Sequence, residues 1–389
     1  MKKYLILAAS AVLVLAACAK VEKFQNTNEE NAILFGAYSG KAAITRANPI
    51  PDVKELAAQG GFGVFAYYTG NAAYSASATP NFMYNQAVTS SDEGANWVYS
   101  PIKYWPNNDS NTTNGSATWT DKLSFFAYAP YVAATVSTGA TANTVGITEF
   151  KANTAAGDPT VKYVVATDPA ESVDFLYNDA ALKDLTKQAV TGKVTFNFKH
   201  ALTRLAVTVQ GVFDSTTAPS SDDVDANTKI YVESLDITTT SNIPAYGVFN
   251  LNTKAWDTTG APAATLEIGN NIPAALQSPN AGVTKTEVSL IKPDANDNPQ
   301  YFMFIPNDAA QEYNFNIVYK VITTDANLAG GKSEITNDIT KKASIKFEAG
   351  KSYTIKLELG MTTVKLAATV EDWEAADPNP DPIWLPINQ

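Results

Sequence analysis

The only cysteine of the chain, Cys18, stands where a thiol could carry a lipid. Two lysines open the sequence, an apolar run follows from Leu5 to Leu15, and small residues lead into Cys18. This order is typical of a secretory signal peptide, and its apolar stretch is too short to serve as a membrane-spanning helix. A cysteine at the cleavage point predicts a bacterial lipoprotein signal over residues 1–18, with a diacylglycerol on the Cys18 thiol. A plain signal peptide is the alternative.

The only histidine, His200, is the one side chain suited to general acid–base chemistry near neutral pH. No Gly-x-Ser-x-Gly turn or comparable nucleophile accompanies it, so a hydrolase triad is not indicated. Zinc is excluded for the same kind of reason, because one histidine and one lipidated cysteine cannot form a ligand cluster. We therefore expect no catalytic residues, and we expect His200 to be a structural residue at the end of a strand.

Oxygen ligands for calcium occur in two acidic loops. Asp294, Asn296 and Asn298 resemble the start of an EF-hand loop, but Ile305 stands where the bidentate glutamate belongs. Residues 221–225 form the second loop. Both are expected to be solvated turns. No phosphate-binding glycine loop is present either. The sequence thus predicts no metal and no cofactor.

Four aromatic residues lie close together in the sequence, namely Trp97, Tyr99, Tyr104 and Trp105. Exposed rings of this kind could stack on sugars. Large aromatics also commonly fill the interior of β-sandwiches, and the alternation here fits that role. Core packing is the favoured interpretation and glycan binding the alternative.

Composition indicates an exported β-protein rather than a nucleic-acid-binding protein. The formal net charge of −11 disfavours nucleic acid as a partner. Hydrophobic residues alternate with period two over most of the chain, for example in 62–66, 194–198, 205–209, 313–319 and 353–359, and 123–128 is typical of a buried strand. We predict two tandem antiparallel β-sandwiches with a boundary near residue 190.

Two short helices are predicted among these strands. In 51–60, Asp52 can cap the first turn, Glu55 follows three residues later and Gly60 can end the helix. The second prediction covers 179–188, where Ala181, Leu182 and Leu185 share one side.

Several segments together resemble the fimbrillin-like lipoproteins of Bacteroidales. The resemblance rests on the order and spacing of motifs over most of the chain, namely 97–106, 123–130, 196–205, 302–306, 350–355 and 370–373. It implies all-β, transthyretin-like sandwiches and a role as subunit of a type V pilus. In that assembly a lipidated precursor reaches the outer membrane, and an arginine-specific protease removes the first strand. A strand from a neighbouring subunit then fills the groove.

The implied division of the chain has five parts. They are a signal peptide (1–18), a propeptide with the first strand (19–46), an N-terminal sandwich (47–190), a C-terminal sandwich (191–373) and a C-terminal extension (374–389). The chain has two arginines. Arg204 falls inside an alternating strand, whereas Arg46 falls in an expected loop, so cleavage is predicted between Arg46 and Ala47.

The C-terminal extension is the candidate donor strand. A proline-rich linker, 377–382, is not expected to rejoin the sheet. The apolar residues beyond it are the candidate donor residues, although Pro386 among them cannot donate a ladder hydrogen bond: Ile383, Trp384, Leu385 and Ile387.

The expected partners are other copies of the chain or other pilin subunits, the arginine-specific protease, the outer membrane through the lipid, and a host or bacterial receptor. The expected locations are the outer membrane for the precursor and the cell-surface fimbrium for the processed form. Two alternatives stay open, a lipid-anchored glycan-binding protein and a non-polymerising anchor or tip adhesin of the same fold.

Overall fold

A computed structural model describes residues 31–39, 50–106, 120–212, 227–238, 243–373 and, as backbone only, 383–384. Within these residues the helices are α1 (Val53–Ala58) and α2 (Ala274–Gln277), with single 3-10 turns at Pro169–Glu171, Lys187–Ala189 and Gly269–Asn271. The strands in chain order are β1 (Phe35–Ser39), β2 (Phe62–Tyr68), β3 (Met83–Val88), β4 (Leu123–Ala129), β5 (Gly146–Phe150), β6 (Thr160–Val164), β7 (Leu176–Asn178), β8 (Val194–His200), β9 (Thr203–Gly211), β10 (Thr228–Thr238), β11 (Tyr246–Asn250), β12 (Ala255–Asp257), β13 (Leu266–Glu267), β14 (Val288–Ser289), β15 (Phe302–Phe304), β16 (Gln311–Thr324), β17 (Lys332–Ile345), β18 (Lys351–Leu359), β19 (Val364–Asp372) and β20 (Ile383–Trp384).

The strands form four sheets, so the predicted all-β class is confirmed. Sheet I has the order β1-β8-β7-β4-β2-β3, and sheet II the order β12-β11-β6-β5. Sheet III has the order β14-β9-β18-β19-β20, with β15 also paired to β9, and sheet IV the order β13-β10-β16-β17. Most pairs are antiparallel, but β1 with β8 and β9 with β18 are parallel.

The central strands of sheet I are buried on both faces, which explains their nearly continuous apolar sequence. In β2, Phe62 and Val64 enter one hydrophobic cluster while Phe65 and Tyr67 enter another. We call the first the N-terminal cluster; α1 contributes Leu56 to it. The second is shared with the inward-facing residues of sheets II, III and IV.

Helix α1 matches its prediction because its capping residues act as expected. Asp52 accepts a hydrogen bond from the backbone N–H of Glu55 at 2.8 Å. Gly60 follows the helix with φ of +94°, a left-handed conformation that glycine adopts without strain. In the described part of the chain, no helix is both long and apolar enough to cross a bilayer.

The predicted helix over 179–188 is wrong. Leu185 exchanges backbone hydrogen bonds with Leu123, and the carbonyl of Leu182 accepts one from Phe125. The segment therefore lies along β4 with a left-handed residue at Asp184, and only Lys187–Ala189 makes a helical turn, of the 3-10 type. Pairing with a neighbouring strand has overridden the helical spacing of the leucines.

The boundary expected near residue 190 does not coincide with a change of sheet. β8 lies beyond it in sequence, yet it pairs with β1 and β7 in sheet I. The change from sheet I to sheet III occurs between β8 and β9. The β11–β12 hairpin, later still in the chain, pairs with β6 in sheet II.

Candidate functional site

The first strand, β1, lies between two walls. On one side it pairs in parallel with β8, from Phe35 opposite Val194 to Ser39 opposite Phe198. On the other side the chain around Ile33 contacts residues 97–105, where the N–H of Ile33 donates to the carbonyl of Lys103 at 2.9 Å. We call the space between β8 and the 97–105 segment the β1 groove.

β1 also closes sheet I on itself. Beyond β3, Thr89 exchanges two backbone hydrogen bonds with Val98, and Trp97 bridges to Phe35 of β1. The sheet thus continues from β3 through the 97–105 segment to β1 and on to β8. Without β1, the backbone groups on both walls would lose partners, and unpaired edges of this kind accept strands from other chains.

The side chains of β1 complete the N-terminal cluster. Ile33 and Phe35 are buried. The ring of Phe35 packs 5.0 Å from Tyr99 and 5.5 Å from Phe196, measured between ring centroids. The Tyr99 hydroxyl donates to the carbonyl of Ile33 at 2.8 Å. Loss of β1 would therefore expose apolar surface as well as backbone.

The predicted cleavage residues, Arg46 and Ala47, lie outside the described residues, but the residues on both sides of this part of the chain are placed. Ser39 ends β1 opposite Phe198. Ile50 is buried, and its N–H donates to the carboxylate of Asp174 at 2.8 Å. Ten residues, 40–49, join these two points. A cut in this loop would separate β1 from the chain and leave Ile50 held in place.

Asp174 belongs to a buried cluster of which only the lone histidine stood out in the sequence. The Nδ1 atom of His200 lies 3.0 Å from the Asp174 carboxylate, and the imidazole stacks on Trp373 at 4.1 Å. His200 ends β8, so its predicted structural position at a strand end is confirmed. The cluster connects Ile50, the partner strand of β1 and Trp373, the last described residue before the C-terminal extension.

An Asp174→Asn substitution is expected to lower the free energy of unfolding by about 2–4 kcal/mol, because the amide cannot accept from Ile50, Phe175 and His200 at once. Urea denaturation of the purified precursor measures the change. The matched control is Asp179→Asn, whose ion pairs with Lys199 and Lys254 are partly exposed and worth less than about 1 kcal/mol. Equal losses in the two variants would contradict the role given to Asp174.

The second arginine is enclosed. Arg204 is 7% exposed and lies on β9 between β15 and β18. Its guanidinium packs 4.4 Å from the Tyr301 ring centroid and also faces Trp373, and its Nε donates to the Ser352 hydroxyl. Burial lowers the pKa of Arg204, and the nearby Tyr301 and Asp174 act in the opposite direction.

The C-terminal extension is described at two residues. Beyond the proline-rich linker, Ile383 and Trp384 pair as β20 with Ala368 and Ala367 of β19. The linker 377–382, which was not expected to rejoin the sheet, lies outside the described residues. Pro382 precedes the described pairing, and Pro386 follows it after one residue. The other candidate donor residues, Leu385 and Ile387, lie outside the described residues, as does the lipidation candidate Cys18.

The aromatic segment serves packing. Trp97, Tyr99 and Trp105 are buried in the N-terminal cluster, as favoured from the sequence, and Tyr104 is exposed. Three of the four rings are thus inaccessible to a sugar. The alternation of these aromatics in the sequence therefore marks the segment that forms the second wall of the β1 groove.

No group of acidic, histidine or cysteine side chains in the described residues is arranged to hold a metal ion. The EF-hand-like loop is a turn closed by its own hydrogen bonds, since Asp294 accepts from the N–H groups of Asn296 and Asn298. The amide of Asn298, followed by these backbone donors, lowers the pKa of Asp294.

Comparisons with known proteins agree with this architecture. A model of the family described as fimbrillin-like matches residues 45–373. A curated relative, the fimbrium subunit Fim1C of Phocaeicola vulgatus, is 26% identical, and the alignment covers 94% of each chain. The crystal structure of a fimbrial protein from Bacteroides vulgatus superimposes with a TM-score of 0.63 and 24% identity, covering 88% of this chain and 99% of that one.

Proposed function

The chain belongs to the fimbrillin-like family, and from this premise we propose that it is a structural subunit of a cell-surface fimbrium that assembles by strand exchange. A lipidated precursor loses the segment that ends at Arg46. The vacated β1 groove then accepts the C-terminal extension of another subunit. The single observation that carries this proposal is the position of β1, which precedes the cleavage loop and closes sheet I.

The choice of Arg46 is supported by the contrast between the two arginines. A protease binds its substrate as an extended, accessible backbone, which loops provide and paired strands do not. Arg204 is buried between neighbouring strands, whereas Arg46 belongs to the ten residues, 40–49, that join the end of β1 to the anchored Ile50. An arginine-specific protease acting on the folded precursor would therefore find Arg46 and leave Arg204 uncut.

Cleavage acts as a switch because it changes the effective concentration of β1. While the loop is intact, β1 is held beside its groove, and a tethered strand outcompetes a free one without any additional contact. After the cut, β1 can dissociate and take the anchor at Cys18 with it. The exposed edge then binds a strand from another chain.

The donor is proposed to be Ile383, Trp384, Leu385 and Ile387. Support comes from the observation that Ile383 and Trp384 already adopt a strand on the edge of β19. The described ladder of two residues is short, and a strand held in this way can leave its edge when a longer groove becomes available.

One feature favours a second candidate function within the same family. Pro386 interrupts the donor segment and removes one backbone donor from the ladder. A weak donor suits a tip adhesin or an anchor that does not extend the fibre. N-terminal sequencing of the surface-exposed protein distinguishes the two, because a stalk subunit begins at Ala47 and an anchor retains the lipid on Cys18.

The proposal is tested by treating the purified precursor with an arginine-specific endoprotease. We expect a single cut after Arg46, followed by oligomers visible by size-exclusion chromatography and negative-stain microscopy. The same sample treated with inactivated protease should stay monomeric. A protein cut at Arg46 that never forms oligomers would rule out assembly by strand exchange.

A further inference from the structure

The inward side of β1 fills its groove unevenly. Ile33 and Phe35, at one end, are large and buried. The next two inward positions carry Ala37 and Ser39, opposite Phe196 and Phe198 of β8. Half of the strand thus presents only a methyl and a hydroxyl group to an aromatic wall.

Two polar atoms at this groove are buried without partners. The hydroxyl of Ser39, which is 6% exposed, makes no hydrogen bond, and neither does the Nε1–H of Trp97. A buried polar group without a partner loses its hydration and receives nothing in return. β1 therefore leaves the hydrogen-bonding groups of its groove incompletely satisfied, and it places only small side chains at two of its inward positions.

The C-terminal extension has the complementary pattern. In a strand, alternate residues share one face, so Ile383, Leu385 and Ile387 would present three branched aliphatic side chains in succession. The three inward positions would be aliphatic whether the strand entered the groove parallel or antiparallel to β8. Placed at the positions of Phe35, Ala37 and Ser39, this set would put larger apolar side chains at the two positions that now carry small ones and would remove the unpaired hydroxyl.

Resting on the function proposed above, we infer that β1 is a weak placeholder and that the groove selects an alternating aliphatic strand, supplied by the extension of a second copy. Strand exchange after cleavage then lowers the free energy instead of leaving it unchanged. Ser39 weakens the binding of the propeptide to the groove, so another strand can replace it. The Ala37 and Ser39 positions determine which strand the groove prefers.

The first test is a Ser39→Val precursor. Because valine buries two methyl groups where the hydroxyl has no partner, we expect the cleaved propeptide to dissociate at least about tenfold more slowly and oligomers to form correspondingly later. Release is measured by chromatography of the freed peptide after cleavage at Arg46. The matched control is Tyr38→Val, at an outward position that is 52% exposed, which should change release less than about twofold.

Release of the Ser39→Val propeptide at the wild-type rate, or faster, would overturn the inference. That outcome is distinct from failure of the proposed function, in which the cleaved wild-type protein itself forms no oligomers.

A second measurement compares two synthetic peptides as displacers of the propeptide from dilute precursor that has been cut at Arg46 and still holds β1. The peptide of residues 383–389 should act at an at least about tenfold lower concentration than the peptide of residues 31–39. Replacing Leu385 and Ile387 by serine should remove that advantage. Equal potency of the two natural peptides would show that the groove has no preference for the aliphatic strand.

Discussion

A precursor carrying Arg46→Ala is expected to remain monomeric in the presence of an arginine-specific protease that converts the wild type into oligomers. The uncut loop keeps β1 at its groove, and a tether of this kind favours the attached strand by about 10²–10⁴-fold over a free competitor. Assembly at subunit concentrations that suffice for the wild type should therefore fall to background. Size-exclusion chromatography of the treated variant measures the result.

Two controls distinguish the effect of preventing cleavage from the effect of replacing the Arg46 side chain. Lys41→Ala removes a positive charge from the same loop and should leave cleavage and assembly unchanged. A precursor in which residues 43–46 are replaced by the recognition sequence of an unrelated protease should assemble when that protease is added. Oligomers formed by uncut Arg46→Ala protein would mean that release of β1 is not the trigger.

Arg204 cannot substitute for Arg46 in this experiment because its surroundings prevent access. The guanidinium is enclosed by Tyr301, Trp373 and Ser352, and its strand has neighbours on both sides. Cleavage there requires prior unfolding of sheet III. A second fragment appearing only in denaturant is the expected signature.

The strands were predictable because their apolar residues alternate, and this local pattern follows directly from burial of one face of a sheet. Their partners were not predictable in the same way. The pairing of β1 with β8 joins residues about 160 positions apart in the chain, and nothing in either segment specifies the other. The position of β8 in sheet I was missed for this reason.

The failed helix prediction has the same origin. Leu182 and Leu185 have helical spacing, but both bond through their backbone to the start of β4. The residues of the candidate site differ in the same way in how far they could be predicted. Arg46 and the C-terminal extension were predicted from the family resemblance together with their positions in the chain, whereas the Asp174–His200–Trp373 cluster depends on three distant segments meeting.

Removing residues 383–389 is expected to abolish polymerisation after cleavage at Arg46 while leaving the subunit able to accept a strand. Without the extension no donor remains, so the yield of long oligomers should fall to background in pure samples. Mixed with cleaved wild-type protein, the truncated subunit should shorten the fibres, because each one that joins offers a groove but no further donor. Fibre length in negative-stain images measures this.

The truncated subunit and Arg46→Ala are complementary, which gives the sharpest form of the experiment. The truncated subunit, once cut, can only accept, and the uncut Arg46→Ala subunit can only donate its extension. Together they should form one-to-one dimers and nothing larger, whereas each alone stays monomeric. Because the described pairing of β20 with β19 spans two residues, the donor should be available without prior processing. Long oligomers from the truncated protein alone would show that another segment is the donor.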